Sequence, residues 1–175
     1  RGAHNGTMIN VPVVAGMVGN AFDFDGTNVI SVPFSADLVP STGLSVEAWV
    51  RPVGAQVVWA RIVGIMTDFN PTSIWLLGVG SHQGVYFGLL KNSVQTYIDG
   101  MSPFTSQRWT HVAATWDGLV MLIYIDGVVQ TDVGAVVGPL SGTTTPLLIG
   151  RGDTNLAGFR GQVDELTLYG RGLTA

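Results

Sequence analysis

Hydrophobic positions along this chain recur at every second residue, a period that predicts strands and not helices. Leu44–Val53 shows it most clearly: Leu44, Val46, Ala48 and Val50 share one side, which leaves Glu47, Trp49 and Arg51 on the other. Trp109–Gly127 adds a hairpin. Asp117-Gly118 suits the positive φ that both central residues of a tight type I′ turn need, so the turn predicts Trp116 opposite Leu119, Ala114 opposite Met121 and Val112 opposite Ile123. One face of that ribbon is wholly apolar and has to be buried. The other carries Thr115, Ala113 and His111 opposite Val120, Leu122 and Tyr124, and the His111 ring is expected to pack against Tyr124 and bond locally. Asp126-Gly127 turns the chain once more into Val128–Gln130.

The remaining pattern is of the same kind. Val11–Val14 reads as a short edge strand beside Pro12, Phe22 and Phe24 alternate with Asp23 and Asp25, and Asn28–Pro33 is the next strand. Trp59–Met66, Ser73–Val79 and Gly84–Leu90 are apolar runs of strand length, expected to be buried on both faces. Val94–Ile98 runs to a turn at Asp99-Gly100, Val133–Thr145 is a long loop, and Pro146–Gly150 and Phe159–Tyr169 close the chain. Strands thus recur about every 8–12 residues without a sustained helical period, which predicts an all-β fold: a two-sheet antiparallel jelly-roll β-sandwich.

Composition narrows the function classes. The 175 residues suit a single domain over 1–175, and with no cysteine there is neither a disulfide nor thiolate chemistry. The chain is 46% hydrophobic, yet its richest run, Leu119–Ile125, is far shorter than the roughly 18–20 residues of a membrane span. No membrane insertion is expected. Net charge is −4 with scattered basic residues, which argues against nucleic acid as a partner. Only 11% of residues are charged, a level that also suits packing inside a larger assembly. Together with Arg1 in place of an initiator Met, this reads as a domain excised from a larger protein. Asn5-Gly6-Thr7 is formally a glycosylation sequon.

Three groups of residues carry a family resemblance. Trp109–Gly118 (WTHVAATWDG) with Leu122–Gly127, the opening Val18–Thr27 with Leu44–Pro52 (LSVEAWVRP), and the closing Pro146–Arg151 (PLLIGR) with Phe159–Leu173 resemble the laminin-G-like domains of the concanavalin A-like lectin/glucanase superfamily. The resemblance covers most of the chain in the expected order. It implies a jelly roll on a secreted or cell-surface protein, serving in glycan binding or adhesion. It also implies a structural calcium ion where the opening Phe-Asp-Gly turn meets the closing Asp-Glu strand.

For that ion the expected ligands are Asp25, Asp164 and the carbonyl of Thr27, since calcium favours mixed carboxylate and carbonyl oxygens. Strict alternation puts Asp164 on the side of Leu166 and Leu168, facing inward, where a carboxylate needs a partner. The alternative is that Asp25 caps its own turn and Asp164 accepts backbone N–H bonds.

An enzyme is not expected. The glucanases of the superfamily place acidic residues at alternate positions of one strand. Here Gln162 stands where a first Glu would, and the adjacent Asp164 and Glu165 are expected on opposite faces. His4, His82 and His111 lie at no ligand spacing, and neither a G-x-S-x-G nor an H-E-x-x-H motif is present. Arg151-Gly152-Asp153 is an RGD whose first two residues the strand-end resemblance already explains. Trp49 beside Glu47 and Arg51 is one place where an aromatic meets charge on a strand. The predicted ligand-binding residues are Trp59, Arg61, Trp75 and Tyr86, which combine stacking surface with a guanidinium donor. The expected function is a non-catalytic recognition module for a glycan or protein ligand, extracellular or at the cell surface. Alternatives from other classes are a spacer packed on neighbouring domains of the parent protein and an unusual carbohydrate-active enzyme.

Overall fold

The computed structural model describes residues 4–65, 74–142, 144–151 and 158–174. Its strands, numbered in chain order, form two sheets in which every strand pairing is antiparallel. The seven-stranded sheet runs β1 (Thr7–Ile9), β4 (Val29–Val32), β14 (Leu147–Ile149), β6 (Arg61–Ile65), β7 (Trp75–Val79), β8 (Val85–Lys91), β9 (Val94–Asp99). The eight-stranded sheet runs β12 (Val128–Val129), β11 (Val120–Ile125), β10 (Thr110–Trp116), β5 (Leu44–Pro52), β15 (Arg160–Tyr169), β3 (Asn20–Asp25), β2 (Val13–Ala15), with β13 (Gly134–Ala135) also on β11. The two-sheet sandwich is the architecture that the alternation predicts. Helical structure among the described residues is one short 3₁₀ turn, Ala36–Leu38.

The core lies between the sheets. Leu44, Val46, Ala48 and Val50 of β5 pair with Trp116, Ala114, Val112 and Thr110 of β10, and all eight are buried. Facing them, Trp75, Leu77, Phe87, Leu89 and Ile98 belong to the same cluster. Burying each of the larger side chains contributes roughly 1.5–3 kcal/mol. Both tryptophans bring a polar atom inside and satisfy it: Trp116 Nε1 donates to the Val136 carbonyl at 2.7 Å, and Trp75 Nε1 to the Leu38 carbonyl at 2.9 Å.

Three local expectations are corrected. Trp116 pairs with Met121, Ala114 with Ile123 and Val112 with Ile125, a slip of two residues from the tight-turn register. Asp117 causes it: its Oδ1 accepts from the backbone N–H of Leu119 and of Val120 at 2.9 and 2.7 Å, stabilising a longer loop in which Gly118 has φ +93°. Because side chains alternate with period two, the slip leaves the apolar face intact. His111 packs edge-on against Trp49 of β5, with ring centroids 5.2 Å apart, and not against Tyr124. The register explains this: His111 pairs with Trp49, while Tyr124 pairs with Ala113.

The third correction concerns Asp164. Val163 pairs with Val50 and Leu168 with Val46, so both face the core, although five positions apart in the chain. A β-bulge between Asp164 and Thr167 adds one residue and reverses the parity, with Glu165 in the left-handed region at φ +48°. Asp164 therefore points away from the core face that Leu166 and Leu168 occupy.

Candidate functional site

Across β6–β9 the register lines up Arg61, Gly78, Tyr86 and Asp99 on the outer face of the seven-stranded sheet. Tyr86 lies flat across β7, and Gly78 is what lets it: a Cβ there would sit 2.4 Å from the ring's Cε1 and from the Ala60 carbonyl oxygen. The phenol reaches Arg61, whose Nη1 donates to Tyr86 Oη and to the Trp59 carbonyl. Arg61 is only 3% exposed and Tyr86 2%. Burial lowers the pKa of Arg61, with Tyr86 opposing. Burial likewise pushes the Tyr86 phenol well above its usual range, with Arg61 pulling the other way.

Trp59 covers this pair. It holds φ +69°, fixed by its N–H donating to the Val79 carbonyl at 2.8 Å. Its indole stands edge-on to Tyr86 at 5.0 Å and to Tyr97 at 5.5 Å. Trp59 is half-buried and Tyr97 is 57% exposed, so rings meet solvent above a buried cation. Asp99 closes the row. Its Oδ2 accepts from the Ser81 N–H at 2.9 Å and the Ser81 hydroxyl at 2.5 Å, with His82 Nδ1 at 3.3 Å.

The structure thus brings Trp59, Arg61 and Tyr86 together. It removes Trp75 from that set: the residue is 1% exposed and lies on the core side, because one position along β7 from Leu76 reverses the face. Tyr97 joins the site without having been singled out. The available signal was the alternation of Val94–Ile98 against the Gly84–Leu90 run, which places an aromatic opposite a glycine, Gly88.

Asp25 and Asp164, expected as calcium ligands, stand apart. Asp25 pairs with Arg160, four residues along β15 from Asp164, or roughly 13 Å at a rise of about 3.3 Å per residue. Each carboxylate is also engaged. Asp25 Oδ1 accepts from the N–H and hydroxyl of Thr27 and from the Asn28 N–H at 2.7, 2.8 and 3.0 Å, and the Thr27 N–H bond leads in lowering its pKa. Asp164 accepts from the N–H groups of Val18 and Glu165, both at 2.8 Å. The Thr27 carbonyl accepts from Arg151 Nη1 at 2.6 Å. Among the described residues no cluster of three or more His, Asp or Glu side chains is arranged for a metal. Both carboxylates thus accept backbone N–H bonds, as the capping alternative describes. Arg151 is folded onto Thr27, and Gly152 and Asp153 of the RGD lie outside the described residues.

The outer face of the eight-stranded sheet is organised differently. Tyr169 Oη donates to Glu47 Oε1 at 2.8 Å, His111 Nε2 lies 3.5 Å from Glu47 Oε2, and Arg51 donates to the Gln107 carbonyl at 2.9 Å and to Gln162 Oε1 at 3.1 Å. Gln162 is thus a structural partner of Arg51. Glu165 is exposed in the bulge, and the Asp164 carboxylate beside it is engaged by the N–H groups of Val18 and Glu165.

Two packed antiparallel sheets in this strand order define a jelly-roll domain. A family model described as the concanavalin A-like lectin/glucanases superfamily, of laminin G type, matches residues 24–175, and the chain belongs to that family. Mouse pappalysin-1 is 30% identical over 151 residues, covering 77% of this chain but 9% of its own length. Domain 4 of AbnA, an extracellular arabinanase of glycoside hydrolase family 43 from Geobacillus stearothermophilus solved in complex with arabinotriose, superposes with a TM-score of 0.78 at 22% identity, covering 97% of this chain and 84% of that one. The binding domain of Paraclostridial Mosquitocidal Protein 1 superposes at 0.75 and 16% identity over 98% of this chain and 45% of its own. The chain spans about a tenth of the curated relatives it matches. No helix among its described residues is long and apolar enough to cross a membrane.

Proposed function

We propose that this domain is a non-catalytic glycan-recognition module of an extracellular protein, and that Trp59 and Tyr97, backed by Tyr86 and Arg61, form its binding surface. The observation that carries this reading is the edge-on Trp59–Tyr86–Tyr97 cluster, exposed at Tyr97 and anchored on a buried guanidinium. Aromatic rings held rigidly by a polar network are what a sugar's CH face stacks on, with little entropy left to lose. Support comes from AbnA domain 4, whose complex holds an arabinose oligosaccharide in a related fold and whose parent enzyme is extracellular.

A second reading, packing against a neighbouring domain, is favoured by a different region. Met8 and Ile9 on the edge strand β1, Val13 on the edge strand β2 and Phe22 on the adjoining β3 are exposed apolar residues, and pappalysin-1 is far longer than this domain.

The test is a glycan array with the wild-type domain and with Trp59→Ala and Tyr97→Ala, each in millimolar calcium and in chelator. Saturable binding that falls at least tenfold in both variants supports the module. Binding unchanged in both variants overturns the assigned surface, and a silent array overturns glycan recognition in favour of packing on a neighbour.

A further inference from the structure

A slot crosses the outer face of the eight-stranded sheet, remote in the fold from the Trp59 surface. Ala113 pairs with Glu47 of β5 on one side and with Tyr124 of β11 on the other. Neighbouring strands lie about 4.7–4.9 Å apart, so the backbones carrying Glu47 and Tyr124 stand roughly 9.5 Å apart with only a methyl group between them. The small side chain at 113 makes the floor. The resulting cavity has a volume of about 200 Å³ and is lined by Glu47, His111, Ala113, Thr115 and Tyr124, with Leu173 of the C-terminal segment at one end. That segment is held in place, since Leu173 N–H donates to Ser45 Oγ and Ser45 Oγ donates to the Arg171 carbonyl, each at 2.8 Å.

The walls are pre-set in the same way. Glu47 is gripped by Tyr169 Oη, and His111 is wedged between Glu47 and the edge of Trp49. Both side chains remain about 30% exposed, so the carboxylate keeps acceptor capacity toward the slot. A drug-sized ligand takes a pocket of about 300–1,000 Å³, so this one has room for a single ring.

We propose that the slot is a second ligand site, taking one non-acidic sugar ring with Tyr124 as the stacking wall, Ala113 as the floor and Glu47 as hydrogen-bond acceptor. Glu47 is the anionic residue of the lining, and His111 carries at most one positive charge beside it. A ring bearing hydroxyl or ammonium donors is accepted and a uronate is repelled. The site stands on its own geometry and does not require the Trp59 surface to bind anything.

The experiment is titration of the ¹H,¹³C-labelled domain with glucose, galactose, arabinose, glucosamine and glucuronate, following the Ala113 methyl and Tyr124 ring signals. Saturable shifts at both residues are expected for at least one neutral sugar or glucosamine, with the amine at least as tight and glucuronate at least tenfold weaker. In Glu47→Gln the preference for glucosamine over glucuronate should fall to near unity while the fold is kept. Ala113→Leu should fill the slot and abolish the shifts at Tyr124, and Trp59→Ala should leave them unchanged. The proposal is overturned if no sugar shifts Ala113 and Tyr124, if glucuronate binds as tightly as glucosamine to the wild type, or if Glu47→Gln leaves the preference intact. Loss of array binding in Trp59→Ala with retained slot titration separates the two sites.

Discussion

The two outer faces of this sandwich carry similar residue types in different physical states. On the seven-stranded sheet Arg61 is buried, tied to Tyr86 and the Trp59 carbonyl, and roofed by rings. On the eight-stranded sheet Arg51, Glu47 and His111 are half-exposed and paired with neighbours. A buried charge holds its surroundings in one arrangement because every alternative leaves it unsolvated, whereas a half-exposed one has water as a substitute. The first face is therefore rigid through its polar anchor. The second owes its shape to the backbone register.

The largest expected effect tests that contrast directly. Arg61→Ala strips partners from Tyr86 Oη and the Trp59 carbonyl and should destabilise the domain by about 3 kcal/mol, whereas Arg51→Ala should cost less than about 1 kcal/mol. For a domain of this size that is a fall of roughly 6–12 °C in Tm against about 4 °C or less, readable by calorimetry. Equal losses would break the comparison.

Gly78→Ala comes next. The added methyl collides with the Tyr86 ring and the Ala60 backbone, and should cost about 2 kcal/mol by overpacking. Chemical denaturation would show a lower midpoint with an unchanged slope.

Alkaline pH sharpens the contrast further. The Tyr86 phenol titrates higher when folded than when unfolded, so above the unfolded value of about 10 the unfolded chain gives up its proton first. The contribution is intact below about pH 10 and declines as pH rises toward the folded value. Tyr169, raised chiefly by its hydrogen bond to Glu47, has the same sign, but solvent screening makes it weaker. Stability measured from pH 8 to 11 should thus flatten more in Tyr86→Phe than in Tyr169→Phe.

The smallest effect is expected at the bulge. Glu165→Gly relieves a left-handed conformation at some cost in unfolded-state entropy, for a net gain of up to about 1 kcal/mol. A loss would mean that the exposed Glu165 side chain contributes to the bulge.

Much of the fold was legible because period-two patterning is local. The apolar side of β5 and the apolar face of the β10–β11 hairpin are buried as their alternation requires, even though the hairpin closes two residues later than its turn signal. The candidate site was legible in part. Trp59, Arg61 and Tyr86 converge, but Trp75 goes to the core, since in a run apolar on both sides the pattern holds no sign of which side is which. Tyr97 enters only through its pairing partner.

By itself the sequence determined the all-β class, the strands and their alternating faces, because these depend on residues a few positions apart. Only the tertiary structure decided which distant residues meet. The bulge at Glu165 turned Asp164 from the core side to the outer one, and the β3–β15 register put Asp25 four residues from it, so two carboxylates that sit in family order along the chain stand apart in the sheet. One inserted residue reverses the parity of everything after it, and pairing distance is set by register and not by motif.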